Sequence, residues 1–394
     1  MTPPDPQTHT LLRELEAAVA TPLEKASALS PGIYLSQAIH ALEQARIFAR
    51  EWVSPGLAAE IPEPGDYLTF AVAGQPVVCV RGRDREVRTF ANVCRHRMMQ
   101  LLDGRGRAGR IVCPYHAWTY DLAGKLIRAP EMDRSEGFDA GEICLPEIRT
   151  EIWQGWIYVT LDDGAEPVAS KLAQLEPVVG RYRIAGYVPV LHQDHVWDTN
   201  WKLLTENFME SYHLPMAHRK TVGAWFTPDD NRFPAQVFET FTYQTFTKDE
   251  TAKYGRAHRD NTVLEDEWRY TSVMPTVFPT HMYVLAPDHL WWLTLRPRGV
   301  GQVHVRFGAA LAPEVMAGLD NPEAFLKETE AFFDQVNEED RFVVEGIFKG
   351  ANAPLTRPGR LSWMERSIHD FQAWLARRLT GPAGAVALRG EAAE

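Results

Sequence analysis

The hydrophobic positions of this chain change their period several times along its 394 residues. From residue 35 to residue 52 the apolar side chains recur at helical spacing, which predicts an amphipathic helix. Between about residues 62 and 161, short runs alternate apolar and polar positions, and glycine, proline or aspartate separates them. This pattern predicts a small all-β domain of hairpins. The polar stretch 162–170 that follows is interpreted as a linker.

Beyond the linker the pattern predicts an α+β arrangement. A block of strands followed by helices indicates an antiparallel sheet with helices packed on one face. The predicted helices cover residues 170–182, 199–213, 322–349 and 361–379. The predicted strands cover residues 237–246, 281–286, 290–297 and 302–311.

Composition and charge disfavour several classes of protein. The formal net charge is −11, which argues against a nucleic-acid partner. No run approaches eighteen apolar residues, and the first ten residues lack the features of a signal peptide, so we expect a cytoplasmic protein without a membrane span. Four cysteines in so long a chain favour free thiols over a disulfide scaffold. Two of them, Cys79 and Cys144, are interpreted as small buried apolar residues.

The other two cysteines are each followed at short range by a histidine. Cys94-x-His96 is separated by 16 residues from Cys113-x2-His116. Structural zinc sites usually contain a Cys-x2–4-Cys knuckle or a Cys pair followed by a His pair. One cysteine and one histidine from each of two loops suits a two-iron cluster, in which thiolates hold one iron and imidazoles the other. A zinc-stabilised binding module, a disulfide and a chance arrangement stay open as alternatives.

A second group of candidate ligands lies in residues 200–218. His213 and His218 are five residues apart with Pro215 between them, and a proline that distorts a helix would turn both imidazoles toward one point. Two imidazoles and one carboxylate make the facial triad of non-haem Fe(II) oxygenases. A structural role for the two histidines is the alternative. Asp340 is the candidate carboxylate, and spacing alone does not separate it from its competitors Glu338, Glu339 and Glu345.

The first motif, with its continuation Cys-Pro-Tyr-His-Ala-Trp, resembles the Rieske [2Fe–2S] domain. From about residue 41 to residue 379 the chain resembles the catalytic α subunits of Rieske non-haem iron oxygenases of the aromatic-ring-hydroxylating type. The resemblance implies an all-β Rieske domain (56–165) and a helix-grip catalytic domain with an antiparallel sheet and C-terminal helices (166–394). An N-terminal helical segment (1–55) would pack with the catalytic part.

The resemblance also implies which residues hold the two iron centres. The [2Fe–2S] cluster would be bound by Cys94, His96, Cys113 and His116. The mononuclear Fe(II) would be bound by His213, His218 and Asp340.

Two further residues receive a role from the resemblance. Glu210, three residues before His213, would hydrogen-bond that histidine from the same helix face and reach His116 of the partner subunit. Asn207 would lie near the iron without the status of a ligand. Many ring-hydroxylating enzymes have aspartate where this chain has Glu210, and glutamate is similar to the branch that oxidises glycine betaine, carnitine and choline.

The activity that the resemblance implies needs a partner. An NAD(P)H-dependent flavin/iron–sulfur reductase would supply electrons, O2 and a small organic substrate would meet at the mononuclear iron, and chain-to-chain electron transfer would require at least a homotrimer. The main interpretation is hydroxylation or oxidative demethylation of a substrate that we expect to be a quaternary ammonium compound. Aromatic-ring dihydroxylation by a dioxygenase, or electron transfer without catalysis, are the alternatives.

Aromatic side chains are the candidate walls of a substrate pocket. They suit a flat ring, and through cation–π attraction they equally suit a trimethylammonium group. For each residue taken singly, plain core packing is the alternative. The predicted walls are Phe208, Met209, Trp225, Phe226, Tyr283, Trp291 and Trp292.

Overall fold

A computed structural model of the protein describes residues 5–381, except for the side chains of Ala224 and Trp225. The described residues form two compact units. One comprises residues 48–169, and the other comprises residues 5–47 and 170–381. Within 5–381, no helix is both long and apolar enough to cross a membrane.

The regular secondary structure of residues 48–169 consists mainly of antiparallel strands, which confirms the all-β prediction. Its strands are β1 (Val53–Leu57), β2 (Asp66–Val72), β3 (Gln75–Arg81), β4 (Val87–Ala91), β5 (Arg105–Arg107), β6 (Ile111–Val112), β7 (Thr119–Tyr120), β8 (Leu126–Arg128), β9 (Glu147–Trp153) and β10 (Trp156–Thr160). Seven of them form a sheet in the order β1-β10-β9-β4-β3-β2-β5, and β6, β7 and β8 form a smaller sheet. A core cluster that includes Phe90, Trp118 and Tyr120 packs around Cys94 and Cys113.

The other unit contains a seven-stranded antiparallel sheet. Its strands are β11 (Val188–Trp197), β12 (Asn231–Arg232), β13 (Phe241–Thr247), β14 (Thr271–Val277), β15 (His281–Leu285), β16 (His289–Pro297) and β17 (Val303–Leu311). The strand order is β11-β17-β16-β15-β14-β13-β12. All neighbouring pairs are antiparallel, so this half of the chain has the predicted sheet.

Helices pack on this sheet and on one another. They are α1 (Pro6–Val19), α2 (Pro31–Leu35), α3 (Gln37–Glu43), α4 (Val168–Lys171), α5 (Glu176–Val179), α6 (Trp201–Phe208), α7 (Leu214–Ala217), α8 (Pro313–Ala317), α9 (Pro322–Ala351) and α10 (Arg366–Thr380). Helix α9 contacts α2, α6, α7 and β11, while α10 contacts α1, α6 and β13. The long α9 therefore brings its acidic residues against the segment that carries the two candidate histidines.

Several predicted elements differ from the observed ones. The helix predicted for 35–52 is interrupted at Ser36, whose hydroxyl accepts the Ile39 N–H (3.3 Å) and so starts α3 as an N-cap. A π-helical turn, Gln44–Phe48, follows α3. The helix predicted for 170–182 is a series of short pieces, because Pro177 lacks an N–H and can only stand near the start of α5.

One helix was missed and one prediction was wrong. Helix α1 was not predicted, although Asp5 caps it by accepting the Gln7 and Thr8 N–H groups and a proline follows at its first position. Cys79 is buried as predicted, but Cys144 is exposed. Its neighbour Leu145 takes the inward position in the core, which leaves the thiol facing outward.

A buried ion pair joins α3 to α6. The Lys202 ammonium lies 2.5 Å from Glu43 Oε1, and the Trp201 indole N–H donates to Glu43 Oε2 (2.8 Å). Burial by itself raises the pKa of Glu43, but the charge of Lys202 and the surrounding donors hold it below its ordinary value. The pair fixes the first turn of α6, whose other end leads into the candidate site.

We expect Lys202→Met to destabilise the protein by about 3–5 kcal/mol, because it leaves the Glu43 carboxylate buried without its cation. Urea unfolding followed by circular dichroism measures the loss. Adding Glu43→Gln, which removes the buried charge and keeps an acceptor for Trp201, should recover part of the loss. Lys25→Met, at an exposed position, serves as the control. A loss in Lys202→Met no larger than in this control would contradict the prediction.

Candidate functional site

The candidate histidines follow a bend in the chain between α6 and α7. Helix α6 ends at Phe208, and residues 209–213 are irregular. Three buried polar side chains support the bend: Gln244 donates to the Met209 carbonyl (3.1 Å), Ser211 donates to the Gln244 side-chain carbonyl (3.2 Å), and Asn231 donates to the Ser211 hydroxyl (2.8 Å). They satisfy backbone and side-chain groups that would otherwise be buried without partners, and so fix the path into His213.

The single turn of α7 carries one histidine at each end. His213 precedes it and His218 follows it, and their ring centroids are 5.1 Å apart. Pro215 is the second residue of α7, where its missing N–H has no helical partner to lose. The histidines converge as predicted, but the predicted cause is wrong. No longer helix is broken at Pro215, because α6 has already ended at Phe208.

The two imidazoles meet the carboxylate of Asp340 on α9. Asp340 Oδ1 lies 3.0 Å from His218 Nε2 and 3.7 Å from His213 Nε2, and one donor atom from each residue lies within 4.8 Å of the others. Two metal–ligand bonds of about 2.1 Å at right angles place their donor atoms about 3 Å apart. The spacing fits a facial triad around one metal ion. The assignment of these residues as iron ligands stays a prediction.

The geometry separates Asp340 from its three competitors. Glu338 is exposed. Glu345 bonds Arg341 and the backbone N–H of Asp198. Glu339 lies behind His218, with Oε2 2.9 Å from Nδ1. Asp340 is the one of the four whose oxygen faces Nε2 of both histidines.

The surroundings of Asp340 keep its carboxylate ionised. Burial alone raises the pKa of Asp340, but the hydrogen bond and charge of His218, the charge of His213 and a hydrogen bond from Asn207 (2.7 Å) lower it below its ordinary value. Burial lowers the pKa of His218, and its two carboxylate neighbours outweigh this and raise it. An ionised carboxylate is the form that binds a metal ion. The hydrogen bond from Asn207 also orients the Asp340 carboxylate, while the place of Asn207 near the iron stays a prediction.

Glu210 holds His213 in place. Its Oε1 lies 2.5 Å from His213 Nδ1, and its Oε2 accepts the backbone N–H groups of His213 (3.1 Å) and Tyr212. The predicted hydrogen bond is present, but the two residues do not share a helix face, because residues 209–213 are not helical. Because the Glu210 carboxylate contacts Nδ1, the other ring nitrogen of His213, Nε2, is directed toward Asp340.

The first motif forms two loops with the same backbone pattern. The N–H of Cys94 donates to the Met99 carbonyl (2.8 Å), and the N–H of Cys113 donates to the Trp118 carbonyl (2.8 Å). In each loop the cysteine carbonyl then accepts the N–H four residues on, from Met98 or Ala117. Both of these residues have positive φ, 56° and 57°. Each loop thus presents one cysteine and one histidine at its tip.

The donor atoms of this motif fit a Rieske cluster. Cys94 and Cys113 are buried free thiols, whereas His96 and His116 are exposed, with ring centroids 4.8 Å apart. Soft thiolates can hold the buried iron and imidazoles the outer one. The Tyr120 hydroxyl lies 3.3 Å from the Cys94 sulfur, a contact that sequence reasoning missed. Tyr120 lies on β7, two residues after Trp118. The structure of the hairpin, and not the sequence spacing, shows that its hydroxyl reaches the Cys94 sulfur.

The predicted pocket walls divide between the two faces of the large sheet. Phe208 meets Trp291 edge to face (5.5 Å), and Trp291 also packs near Phe333 of α9 (5.8 Å) and Phe307 (6.1 Å). These rings lie between α6, the sheet and α9. Of the predicted walls, the structure therefore brings Phe208 and Trp291 into contact, and Phe208 lies on the same helix α6 that carries Asn207.

The remaining predicted walls lie elsewhere. Trp292 follows Trp291 on β16 and therefore faces the opposite side of the sheet, and Tyr283 pairs with it across the strands. Both are fully buried, which agrees with the alternative of core packing rather than with a pocket beside the triad. Met209 is buried in the bend, and Phe226 packs on a phenylalanine of β13 (5.6 Å). The side chain of Trp225 lies outside the described residues.

A cavity of about 420 Å³ lies beside His213 in the same unit. Most of its lining is apolar, but the carboxyl groups of Glu206, Glu210 and Glu365 also face it. Glu206 accepts the Tyr34 hydroxyl (2.9 Å), and burial raises its pKa to about 7. The pKa of Glu365 is raised by burial and by the charge of Glu210. Sequence reasoning missed this acidic lining, because its members come from distant segments.

Two family profiles match the chain. The profile of the Rieske [2Fe-2S] domain matches residues 51–148, and that of the ring hydroxylating alpha subunit (catalytic domain) matches residues 184–381. The cysteine and histidine motif lies in the first range, and the two histidines of α7 and the acidic group of α9 lie in the second.

Characterised relatives cover nearly the whole chain. The glycine betaine monooxygenase oxygenase subunit of Pseudomonas aeruginosa is 27% identical over an alignment of 385 positions, gaps included, that covers 89% of this chain and 89% of that protein. The chloroplastic choline monooxygenase of Arabidopsis thaliana is 28% identical over 372 residues, covering 91% of this chain and 84% of that protein. The crystal structure of the quaternary ammonium Rieske monooxygenase CntA with an inhibitor has a TM-score of 0.78 at 25% identity, covering 92% of this chain and 98% of that one.

Tyr120→Phe should lower the reduction potential of the cluster, because hydrogen bonds to the ligating sulfurs stabilise the reduced state. A redox titration followed by the visible spectrum measures the shift. Tyr67→Phe is the matched control, since its hydroxyl faces the Asp103 carbonyl in the same unit rather than a sulfur. Equal potentials in the parent and Tyr120→Phe would show that this hydroxyl does not tune the cluster.

Glu206→Gln should flatten the pH dependence of stability. The folded pKa of Glu206, about 7, exceeds its ordinary value of 4.5. Its contribution is therefore fully present below about pH 4.5 and is lost as the pH rises through about 7, an effect of roughly 3 kcal/mol. We expect urea unfolding midpoints similar to the parent at pH 5 and higher than the parent at pH 8. Glu338→Gln, at an exposed position, should track the parent at both values, and identical pH profiles for all three would refute the argument.

Proposed function

The chain belongs to the family of ring-hydroxylating alpha subunits, and from this premise we propose that it is the terminal oxygenase component of a Rieske non-haem iron oxygenase. The convergence of His213, His218 and Asp340 carries the proposal, because an electron-transfer protein needs the cluster domain and no second metal site. The family uses a [2Fe–2S] Rieske cluster and a mononuclear iron. Two imidazoles and a carboxylate suit the mononuclear iron, and two thiols with two imidazoles suit the cluster.

Within this class we propose a quaternary ammonium substrate, oxidised by hydroxylation or demethylation. The relatives act on glycine betaine and choline, as their names state. The aromatic group around Trp291 and Phe208 supports the proposal, because aromatic faces attract a trimethylammonium cation. The nearby cavity is lined by the acidic side chains of Glu206, Glu210 and Glu365, and acidic groups favour a cationic substrate over an anionic one.

The side chains of the site have separate tasks in this proposal. The mononuclear iron, when bound, supplies oxygen activation, and the cluster supplies single electrons. His213, His218 and Asp340 would hold this iron, and a facial set of three ligands would leave positions open for substrate and O2. Glu210 keeps the imidazole of His213 in one tautomer and orientation, and Asn207 does the same for the Asp340 carboxylate.

We further propose that Glu210 connects His213 to His116 of the partner subunit. The cluster loops support this, because His116 is exposed and the basic residues Arg95 and Arg97 flank His96. Their positive charge complements the carboxyl groups of the cavity beside Glu210. Electron transfer from chain to chain closes on itself in a ring, so we propose a homotrimer as the minimum assembly.

The same proposal includes the remaining components. Electrons would come from an NAD(P)H-dependent flavin/iron–sulfur reductase in the cytoplasm. The domains would be an N-terminal segment (1–55), the Rieske domain (56–165) and the catalytic domain (166–394). Of these, 5–47 groups with the catalytic unit in the described residues.

Substrate-dependent consumption of NADH and O2, measured with a surrogate reductase, tests the substrate class. Glycine betaine, carnitine and choline form one panel, and aromatic acids and hydrocarbons form the other. We expect turnover with the first panel, and formaldehyde release would identify demethylation. Turnover confined to aromatic rings, with a cis-diol product, would identify a dioxygenase and would overturn the assignment of a quaternary ammonium substrate.

His213→Ala tests the mononuclear centre. The parent should hold iron for the cluster and one further iron per chain, and the variant should lose the further iron while it keeps the visible spectrum of the cluster. Metal analysis and absorption spectra of both proteins measure this. His9→Ala, an exposed histidine of α1, is the control. Unchanged iron content in His213→Ala would contradict the site, and a colourless parent protein would contradict the cluster.

A further inference from the structure

The two histidines of the triad are held in the same way by different carboxylates. Glu210 contacts Nδ1 of His213, and Glu339 Oε2 contacts Nδ1 of His218 at 2.9 Å. In both cases the carboxylate lies on the ring nitrogen opposite to the one that faces Asp340. His218 is more deeply buried than His213, with a side chain that is 2% exposed against 15%. Its orientation therefore depends on protein groups rather than on water.

Glu339 is itself fixed by two donors. The Thr221 hydroxyl donates to Oε2 (2.6 Å), and the Gln335 amide, one turn earlier on α9, donates to Oε1 (3.2 Å). The carboxylate is 12% exposed, so it has little freedom to turn toward solvent. Both of its oxygens are thus occupied before the contact with His218 is counted.

A tight turn after α7 sets the position of Thr221. The backbone N–H groups of Thr221 and Gly223 both donate to the His218 carbonyl (2.9 and 3.0 Å). A Cβ atom on Gly223 would lie 2.0 Å from the Leu214 carbonyl oxygen, so the turn excludes any other residue there. The turn ties the donor of Glu339 to the same short segment that carries both histidines.

We propose that Glu339 is a positioning residue for the metal site, which holds the His218 imidazole so that Nε2 faces the metal. The inference rests on the proposed function, because it assumes that His218 binds iron. A carboxylate on Nδ1 fixes the tautomer, restricts rotation of the ring and raises its basicity as a ligand. The site would then rest on two carboxylate–imidazole pairs, of which Glu210 makes one and Glu339 the other.

The geometry distinguishes this role from that of a direct ligand. A ligand would direct an oxygen toward Nε2 of the histidines, where Asp340 Oδ1 lies. Glu339 directs Oε2 to the opposite side of the ring, and Thr221 shares that oxygen. The adjacent Glu338 is exposed, so the same helix offers a matched residue of the same chemistry without the contact.

The test is the affinity of the mononuclear site for Fe(II), titrated into protein that keeps its cluster but has been stripped of this iron. We expect Glu339→Ala to weaken binding about 10- to 100-fold. Glu339→Gln should lose less, because its amide oxygen can still accept the Nδ1–H of His218. Thr221→Val removes one donor to Oε2 of Glu339 but keeps the contact of that oxygen with His218, so it should lose less than Glu339→Ala. Glu338→Gln should match the parent.

A spectroscopic readout accompanies the affinity. The electron paramagnetic resonance spectrum of the nitric oxide complex of the Fe(II) site should broaden or split in Glu339→Ala, since a freely rotating ring gives several geometries, and it should stay close to the parent in Glu339→Gln. Parent-like affinity and spectrum in Glu339→Ala would overturn the proposal. Losses in Glu339→Gln as large as in Asp340→Ala would also overturn it, because they would identify Glu339 as a ligand.

Failure of the inference and failure of the proposed function give different results. If the parent binds no iron beyond its cluster, the proposed oxygenase site is wrong, and Glu339 has no metal ligand to position. If the parent binds that iron and His213→Ala abolishes the binding, the function stands, and only the Glu339 variants decide the role of this residue. Circular dichroism of each variant confirms that the fold is intact before metal is added.

Discussion

The candidate metal centre depends on one constraint, the early end of α6 at Phe208. A helix that continued to His213 would direct its side chains by helical spacing alone, and two histidines five residues apart would face different directions. Instead the chain bends. The buried Gln244 amide donates to the Met209 carbonyl, which has no helical partner at the bend, and the Ser211 hydroxyl donates to the Gln244 side chain. The short α7 then places both imidazoles on one side. The polar residues around the bend are thus as necessary to the site as the donor atoms themselves, because a buried bend without partners for its backbone would be costly.

Negative charge is the second organising feature. Asp340 faces the imidazoles directly, while Glu210 and Glu339 stand behind them, so that three carboxylates and two neutral imidazoles would surround a divalent ion. Such a site favours a metal of high charge and holds it through neutral nitrogen ligands of raised basicity. A metal ion in turn stabilises three carboxylates that would otherwise repel one another at close range in a poorly solvated place. With iron bound as proposed, folding of this region and binding of the metal would be coupled, as in other sites whose ligands come from separate elements.

The two iron centres differ in how far the sequence predicts them. Each half of the cluster motif is local, because a cysteine and its histidine belong to one hairpin loop, so the spacing of four residues carries nearly the whole arrangement. The triad combines a local pair with Asp340 from a helix far along the chain, and spacing could not choose among Glu338, Glu339, Asp340 and Glu345. The position of α9 against α7 in the structure is what directs Asp340, and not the three glutamates, toward both imidazoles. In the same way, alternation along β16 could predict that Trp291 and Trp292 face opposite sides, but not which side faces the site.

The errors at helix ends have a related cause, because periodicity does not show where a polar side chain takes over the hydrogen bonds of the backbone. Hydrophobic periodicity located the apolar stretches well, yet the helices predicted for 35–52 and 199–213 ended or broke where polar groups offered the backbone other partners, at Ser36 and at Glu210. Ser36 accepts an N–H in the first turn of α3, whereas Glu210 accepts the N–H groups of Tyr212 and His213 in the irregular segment before α7. In both places a side chain gives the backbone a hydrogen-bond partner outside the predicted helix. The Glu210 carboxylate also contacts the imidazole of His213, so one residue supports both the path of the chain after α6 and the orientation of a candidate ligand.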